Sequence, residues 1–257
     1  MDIDFVLNKI YDFCQVKEKS DYYVGETFRK TPEYSNRLNF LIKLVKELGI
    51  EHEVHTMDFD DYYLEESLIY FHNLILKGSS KRWISAHYDV FNEDSQNAND
   101  NSASVINAIA TKFLNPEINV VLLDAEEQPF VCQGTKNHIM YLMTHGDRDI
   151  FNIDFILNLE LTGLGQKILV ENKYGNLLET IRANFDVMVM DLPKNDSHYF
   201  RKKCIDSICV STAPMIDGEI NFDHFRKCHK EEDNLESISI NDMKEFVLNF
   251  LVPLSKG

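Results

Sequence analysis

Apolar positions recur along the chain with two periods, and their alternation predicts the architecture. Residues 2–15 and 33–48 (EYSNRLNFLIKLVKEL) carry apolar residues at helical spacing, the second run ending at Gly49. Residues 50–57 alternate as a strand does, and residues 67–77 (SLIYFHNLILK) form a second strand candidate closed by Gly78-Ser79-Ser80. Residues 82–86 (RWISA) are a short strand running into His87. Residues 102–113 read as a helix, and residues 119–124 (NVVLLD) are the continuous apolar run of a strand buried on both faces. Downstream the pattern predicts helices over 136–143, 176–186 and 241–251, and strands over 155–159, 167–170 and 207–211. Strands alternating with helices predict an α/β layered fold around a largely parallel sheet. Ligands gather at the carboxyl ends of such strands, where His87, Glu126, Glu127 and Glu160 fall.

Composition narrows the class. The 257 residues are 44% hydrophobic and 26% charged, enough apolar material for a substantial core. No internal repeat, low-complexity tract or Pro/Gly/Ser-rich linker divides them, so residues 1–257 are expected to form one domain. The net charge of −16, from 42 acidic against 26 basic residues, speaks against nucleic-acid binding, which needs a surplus of Lys and Arg. Such a surface serves solubility, and it would draw cationic substrates if any. Five cysteines, odd in number and without a CxxC pair, speak against a disulfide scaffold and read as small buried hydrophobes. The amino-terminal MDIDFVLNKI is acidic and amphipathic, unlike a secretory signal, and no stretch approaches a membrane span. A cytoplasmic protein without membrane association is expected.

Five short motifs carry candidate chemistry, each with a plainer reading beside it. In His87-Tyr88-Asp89 the carboxylate is spaced to orient the imidazole; the plain reading is a polar turn. In Ala98-Asn99-Asp100-Asn101-Ser102, Asp100 suits an N-cap, but beside an upstream HxD its two oxygens suit a bridge between two cations. Glu126 and Glu127 end an apolar strand, where paired carboxylates are costly unless compensated. One can ligate while its neighbour takes a proton; the plain reading is a surface charge pair. Glu160 stands alone in an apolar segment (NLELTG), as a ligand or as a solvated strand end. His229 precedes an acidic loop with Asp233-Asn234, as a ligand or within a capped turn. Imidazoles with carboxylates form a donor set that holds a Lewis acid and leaves room for water.

The order of these motifs is more specific than any one of them. Over residues 80–240 it resembles the M28 family of zinc aminopeptidases: HxD, a small-residue DN-S segment, EE, an N-x-acid-x-x-G segment and a late histidine. The resemblance implies a zinc-exopeptidase-like three-layer sandwich, a mostly parallel central sheet flanked by helices. It implies two divalent metal ions per chain, Zn2+ first and cobalt or manganese after it. Asp100 would bridge both, His87 and Glu160 completing one site, Glu127 and His229 the other. Glu126 would be the general base, with Asp89 supporting His87. It further implies a cis peptide bond between Asp100 and Asn101. Asn195-Asp196-Ser197 and Phe200 resemble a family stretch that lines the substrate pocket. The implied activity is aminopeptidase hydrolysis of short peptides or aminoacyl substrates.

Three departures from the family pattern stand out. Position 160 is Glu rather than Asp, the loop over 128–133 is longer than usual, and residues 92–98 lack a Gly before the bridging acid. A glutaminyl-cyclase-like enzyme with one zinc is the enzymatic alternative; Trp83, the only Trp, speaks against its tryptophan-rich pocket. The non-enzymatic alternative is a peptide-binding relative that has lost its chemistry, whose mark would be a missing ligand or base. His52, His55 and His72 read as core or surface residues. His138, His145, His198 and His224 show no partner pattern, and His229 is preferred to His224 because Asp233-Asn234 follow it.

Overall fold

The computed structural model describes residues 2–17, 33–60, 68–91, 95–127, 131–144 and 149–256. In chain order they form α1 (Ile3–Phe13), α2 (Asn36–Glu47), β1 (Glu53–Asp60), β2 (Leu68–Leu76), β3 (Arg82–His87), α3 (Ala103–Leu114), β4 (Asn119–Leu123), α4 (Gln133–Thr144) and β5 (Phe155–Leu159). There follow β6 (Lys167–Glu171), α5 (Asn176–Asn184), β7 (Val187–Met190), α6 (Asp196–Arg201), β8 (Ser207–Ala213), the short pair β9 (Met215–Ile216) and β10 (Glu219–Ile220), α7 (Ile240–Phe246) and α8 (Val252–Lys256). Local chemistry starts the first helices where the pattern places them. The Asp2 side chain accepts from the Phe5 N–H and Ser35 from the Leu38 N–H, each an N-cap on an otherwise unpaired donor.

The eight-stranded sheet has the order β1-β2-β4-β3-β5-β8-β6-β7. Its centre, β4-β3-β5-β8, is parallel. β2 joins β4 antiparallel, and β6 joins β8 antiparallel and carries β7 parallel. Side chains alternate between the two faces. Leu74, Ile84, Ala86, Val120, Leu122 and Leu157 pack with α1, α2, α3, α5 and α7. Ile75, Trp83, Val121, Leu123 and Ile156 pack with α4 and α6. This is the expected α/β sandwich. The predicted helix over 241–251 begins at Ile240 as α7, widens over 247–251 and passes into α8. β7, α6 and the β9–β10 hairpin were not predicted. No helix among the described residues is long and apolar enough to cross a membrane.

The connectivity sets where a site can form. From β3 the chain crosses by α3 on one face to β4; from β4 it crosses by α4 on the other face, past β3, to β5. The two connections leave in opposite directions, which opens a crevice at the carboxyl ends of β3, β4 and β5.

Candidate active site

His87 is the last residue of β3, Glu126 and Glu127 follow β4, and Glu160 follows β5. Asp100 sits in the tight turn 98–102 before α3, and its peptide bond to Asn101 is cis, as the motif resemblance implies. His229 comes from the loop after β10, with φ of 64°. These five candidate ligands meet. The Nε2 of His87 lies 3.4 Å from Oδ1 of Asp100 and 3.4 Å from Oε2 of Glu160. The Nε2 of His229 lies 3.2 Å from Oδ2 of Asp100 and 3.1 Å from Oε1 of Glu127. Each oxygen of Asp100 therefore faces a different histidine.

Neighbouring residues hold this arrangement. Asp89 accepts the N–H of Glu126 on one oxygen and that of Glu127 on the other, both at 3.1 Å, and its Oδ1 is 3.4 Å from Nδ1 of His87. Asp233 accepts the N–H groups of Asn99 and Asp100 at 2.8 and 3.0 Å. Asn101 donates to the Leu159 carbonyl and accepts from the Leu161 N–H, bracketing Glu160. Buried Arg37 of α2 donates to the Tyr88 carbonyl and the Ser102 hydroxyl, joining the first two motifs. The Phe91 ring stacks on His229, centroids 4.1 Å apart and planes within 8°. Gly163 is required because a Cβ there would lie 2.7 Å from Cβ of Ala103 and 2.6 Å from Cγ2 of Ile238. Several non-glycine residues around the crevice hold left-handed backbone, among them Ala125, Cys132, Leu161 and His229. Such conformations persist where the surroundings impose them.

A third group of carboxylates lies beside the first two. Glu126, Glu160 and Asp196 bring oxygens within 4.8 Å of one another. Asp196 is fully buried and accepts from the Thr135 hydroxyl, and the Cys132 thiol donates to Oε1 of Glu126 at 3.4 Å. Of Asn195, Asp196, Ser197 and Phe200, Asn195 lines the cavity beside the candidate ligands and the other three do not. Ser197 instead bonds Glu171, and Phe200 packs under α4. Asp233 and Arg37 were not singled out for these contacts, because neither motif spacing nor periodicity marks a buried acceptor or an arginine inside an apolar stripe. Cys14, Cys132 and Cys209 are buried as expected, but Cys204 is exposed in the turn after α6, and all five cysteines are free. Residues 92–94 and 128–130 of the two unusual loops, Ser67 and His145 lie outside the described residues, as does the side chain of His224.

Crowding shows in the acid–base character. Burial, added to by the charges of Asp196, Glu160 and Glu127, pushes Glu126 well above the usual carboxylate range against the pull of His87. Burial raises Glu127 against hydrogen bonding from His229. Burial and the Glu160 charge bring Asp196 to about 7, and burial brings Asp233 to about 6. Asp100 runs the other way: burial opposes ionisation, but hydrogen bonds from His229 and His87 hold it far below its ordinary value. Burial would lower His87, yet Glu160, Asp100 and Asp89 raise it well above an ordinary imidazole. Hydrogen bonds to Asp100 and Glu127 bring His229 to about 10.

The donors fit divalent cations. His87, Asp100 and Glu160 form one set and Asp100, Glu127 and His229 another, each with donor atoms within 4.8 Å, sharing Asp100. Buried carboxylates in such excess are stable when cations offset them. The set opens on a cavity of about 370 Å3, walled by Val131, Leu161, Leu192, Pro193, Phe225 and Cys228.

The sequence model of peptidase family M28 matches residues 74–252, the stretch that contains every one of these candidate ligands. The chain belongs to peptidase family M28. Solved structures of similar fold accompany the match. A glutaminyl cyclase from an Acidobacteriales bacterium is 16% identical with a TM-score of 0.71, over 98% of this chain and 94% of that one. A Zn-dependent exopeptidase from Parabacteroides distasonis is 14% identical with a TM-score of 0.68, over 100% of this chain and 98% of that one. BSAP, a zinc aminopeptidase from Bacillus subtilis, is 18% identical with a TM-score of 0.57, over 74% of this chain; the match spans only 50% of that longer protein. At these identities the likeness is one of fold. No curated protein sequence matches the chain.

Proposed function

We propose that this M28 chain is a metal-dependent aminopeptidase acting on short peptides, with Glu126 as its general base. The observation that carries the reading is the pair of donor sets sharing Asp100, with Glu126 beside both. His87, Asp100 and Glu160 would hold one divalent cation and Asp100, Glu127 and His229 a second, zinc by donor type, together supplying Lewis-acid polarisation of a carbonyl and acidification of water. Glu126 takes the proton of the attacking water on its carboxylate and returns it to the nitrogen of the leaving amine. Asp89 keeps the imidazole of His87 and the backbone of Glu126 and Glu127 in one frame. The cavity admits short peptides more readily than folded protein.

The test is hydrolysis of free and N-acetylated short peptides by zinc-loaded wild type and Glu126→Gln. Cleavage of free peptides alone, with a loss of about 10²–10⁴-fold in the variant, supports the reading. Equal cleavage of acetylated peptides contradicts the aminopeptidase part, and an active variant contradicts the base. A second reading, cyclisation of an N-terminal glutaminyl residue, draws on the Glu126–Glu160–Asp196 group, whose crowded carboxylates are close enough to pass a proton between them. A glutaminyl peptide separates the two: release of ammonia marks cyclisation, release of a free amino acid marks hydrolysis.

A further inference from the structure

Lys194, which lines the cavity, shares the ring of Tyr199 with two other lysines. The ammonium nitrogens of Lys136 and Lys194 each lie 5.1 Å from the ring centroid of Tyr199, and that of Lys202 lies 5.2 Å from it. None of the three enters a salt bridge among the described residues. Like charges gathered this way repel, and in a chain of net charge −16 they run against the general balance. Lys194 is the one Lys or Arg among the described residues that line the cavity. The carboxylates of the same lining, Asp100, Glu126, Glu127 and Glu160, would be balanced by two divalent cations. With those charges offset, Lys194 is the cation left in the lining, with Lys136 and Lys202 beside it around the Tyr199 ring.

We propose that Lys194, backed by Lys136 and Lys202, is a carboxylate-recognition point, so that the preferred substrates are short peptides carrying a carboxylate within reach of the cavity. The proposal rests on the peptidase reading for the substrate class. It reverses the cationic preference suggested by the charge of the whole chain, because the local field at the cavity decides. The carboxylate has two sources, a free C-terminus or an acidic side chain.

The test uses zinc-loaded wild type, Lys194→Met and Lys194→Arg with two substrate pairs: Ala-Ala against Ala-Ala amide, and Glu-Ala amide against Gln-Ala amide. Both kcat/KM and, on a Glu126→Gln background, calorimetric affinity are read. Lys194→Met is expected to lose about tenfold on the carboxylate-bearing member of one pair, as for a charge-assisted hydrogen bond, with the neutral member unchanged and Lys194→Arg retaining the preference. Loss on Ala-Ala identifies the C-terminus; loss on Glu-Ala amide identifies the side chain. Equal behaviour of both members in wild type, or equal loss on charged and neutral members in Lys194→Met, overturns the proposal. Charge discrimination in binding without hydrolysis of any peptide keeps the carboxylate point and sinks the peptidase reading instead.

Discussion

The two oxygens of Asp89 accept the backbone of Glu126 and Glu127 while one of them faces His87, so a single carboxylate couples the end of β3 to the turn after β4. Asp89→Asn keeps the shape and loses the charge. Zinc affinity is expected to fall about 10–100-fold with the fold retained, read by competition with a chromogenic chelator; unchanged affinity would remove Asp89 from the account. The convergence of the candidate ligands was legible in the sequence because each closes a strand or motif with an unusual residue: an imidazole after RWISA, a carboxylate pair after NVVLL. Asp233 was legible only as a neighbour of His229, and Asp196 only as part of a resemblance. Their contacts, with the turn at Asp100 and with Thr135, are made across 133 and 61 residues of chain. Such separations leave no local signature, and topology alone brings the groups together.

Helix α2 shows how an element serves the site without touching it. Its apolar stripe was read correctly, but the stripe contains Arg37, whose guanidinium lies 3.9 Å from the Phe13 ring centroid and bonds the Tyr88 carbonyl at 2.7 Å and Ser102 at 2.8 Å. Arg37→Leu leaves those acceptors buried without this donor. It is expected to cost about 3 kcal/mol in urea unfolding; a loss within experimental error would contradict the coupling. α6 is held in a comparable way, by Arg201 reaching both oxygens of Glu171 at 2.7 and 2.9 Å. That helix escaped the pattern because six residues hold too few turns to show a period, and β7 escaped because VMVM is only half-buried at the sheet edge. Long, doubly covered strands were legible, whereas short edge elements owe their structure to neighbours.

For the molecule as a whole, stability is tied to pH through His138. Its ring is fully buried against Trp83 and Phe200, and neither nitrogen has a hydrogen-bond partner among the described residues. Burial, helped by His55, lowers it from 6.5 to about 3. Below pH 6.5 the unfolded chain takes up a proton that the folded chain refuses until about pH 3, so this contribution is present above 6.5 and lost as pH falls across that window. Wild type is expected to lose about 2 kcal/mol more than His138→Leu between pH 7 and pH 5, measured by urea midpoints; parallel losses would contradict it. The layered α/β architecture and the place of the site were legible at this scale because alternation and strand ends carry them. The gathering of Lys136, Lys194 and Lys202 around Tyr199 was not, since the net charge averages over the whole surface. In the proposed reading Asp100 would be shared by two cations and Glu126 would serve both. The most direct test of that reading is metal content by mass spectrometry, with peptide hydrolysis, for wild type, Asp100→Asn and Glu126→Gln. About two zinc ions per chain are expected in wild type and in Glu126→Gln, hydrolysis in the first alone, and fewer ions in Asp100→Asn. A wild type that binds one ion or none, or a Glu126→Gln variant that still hydrolyses peptides, would contradict that reading.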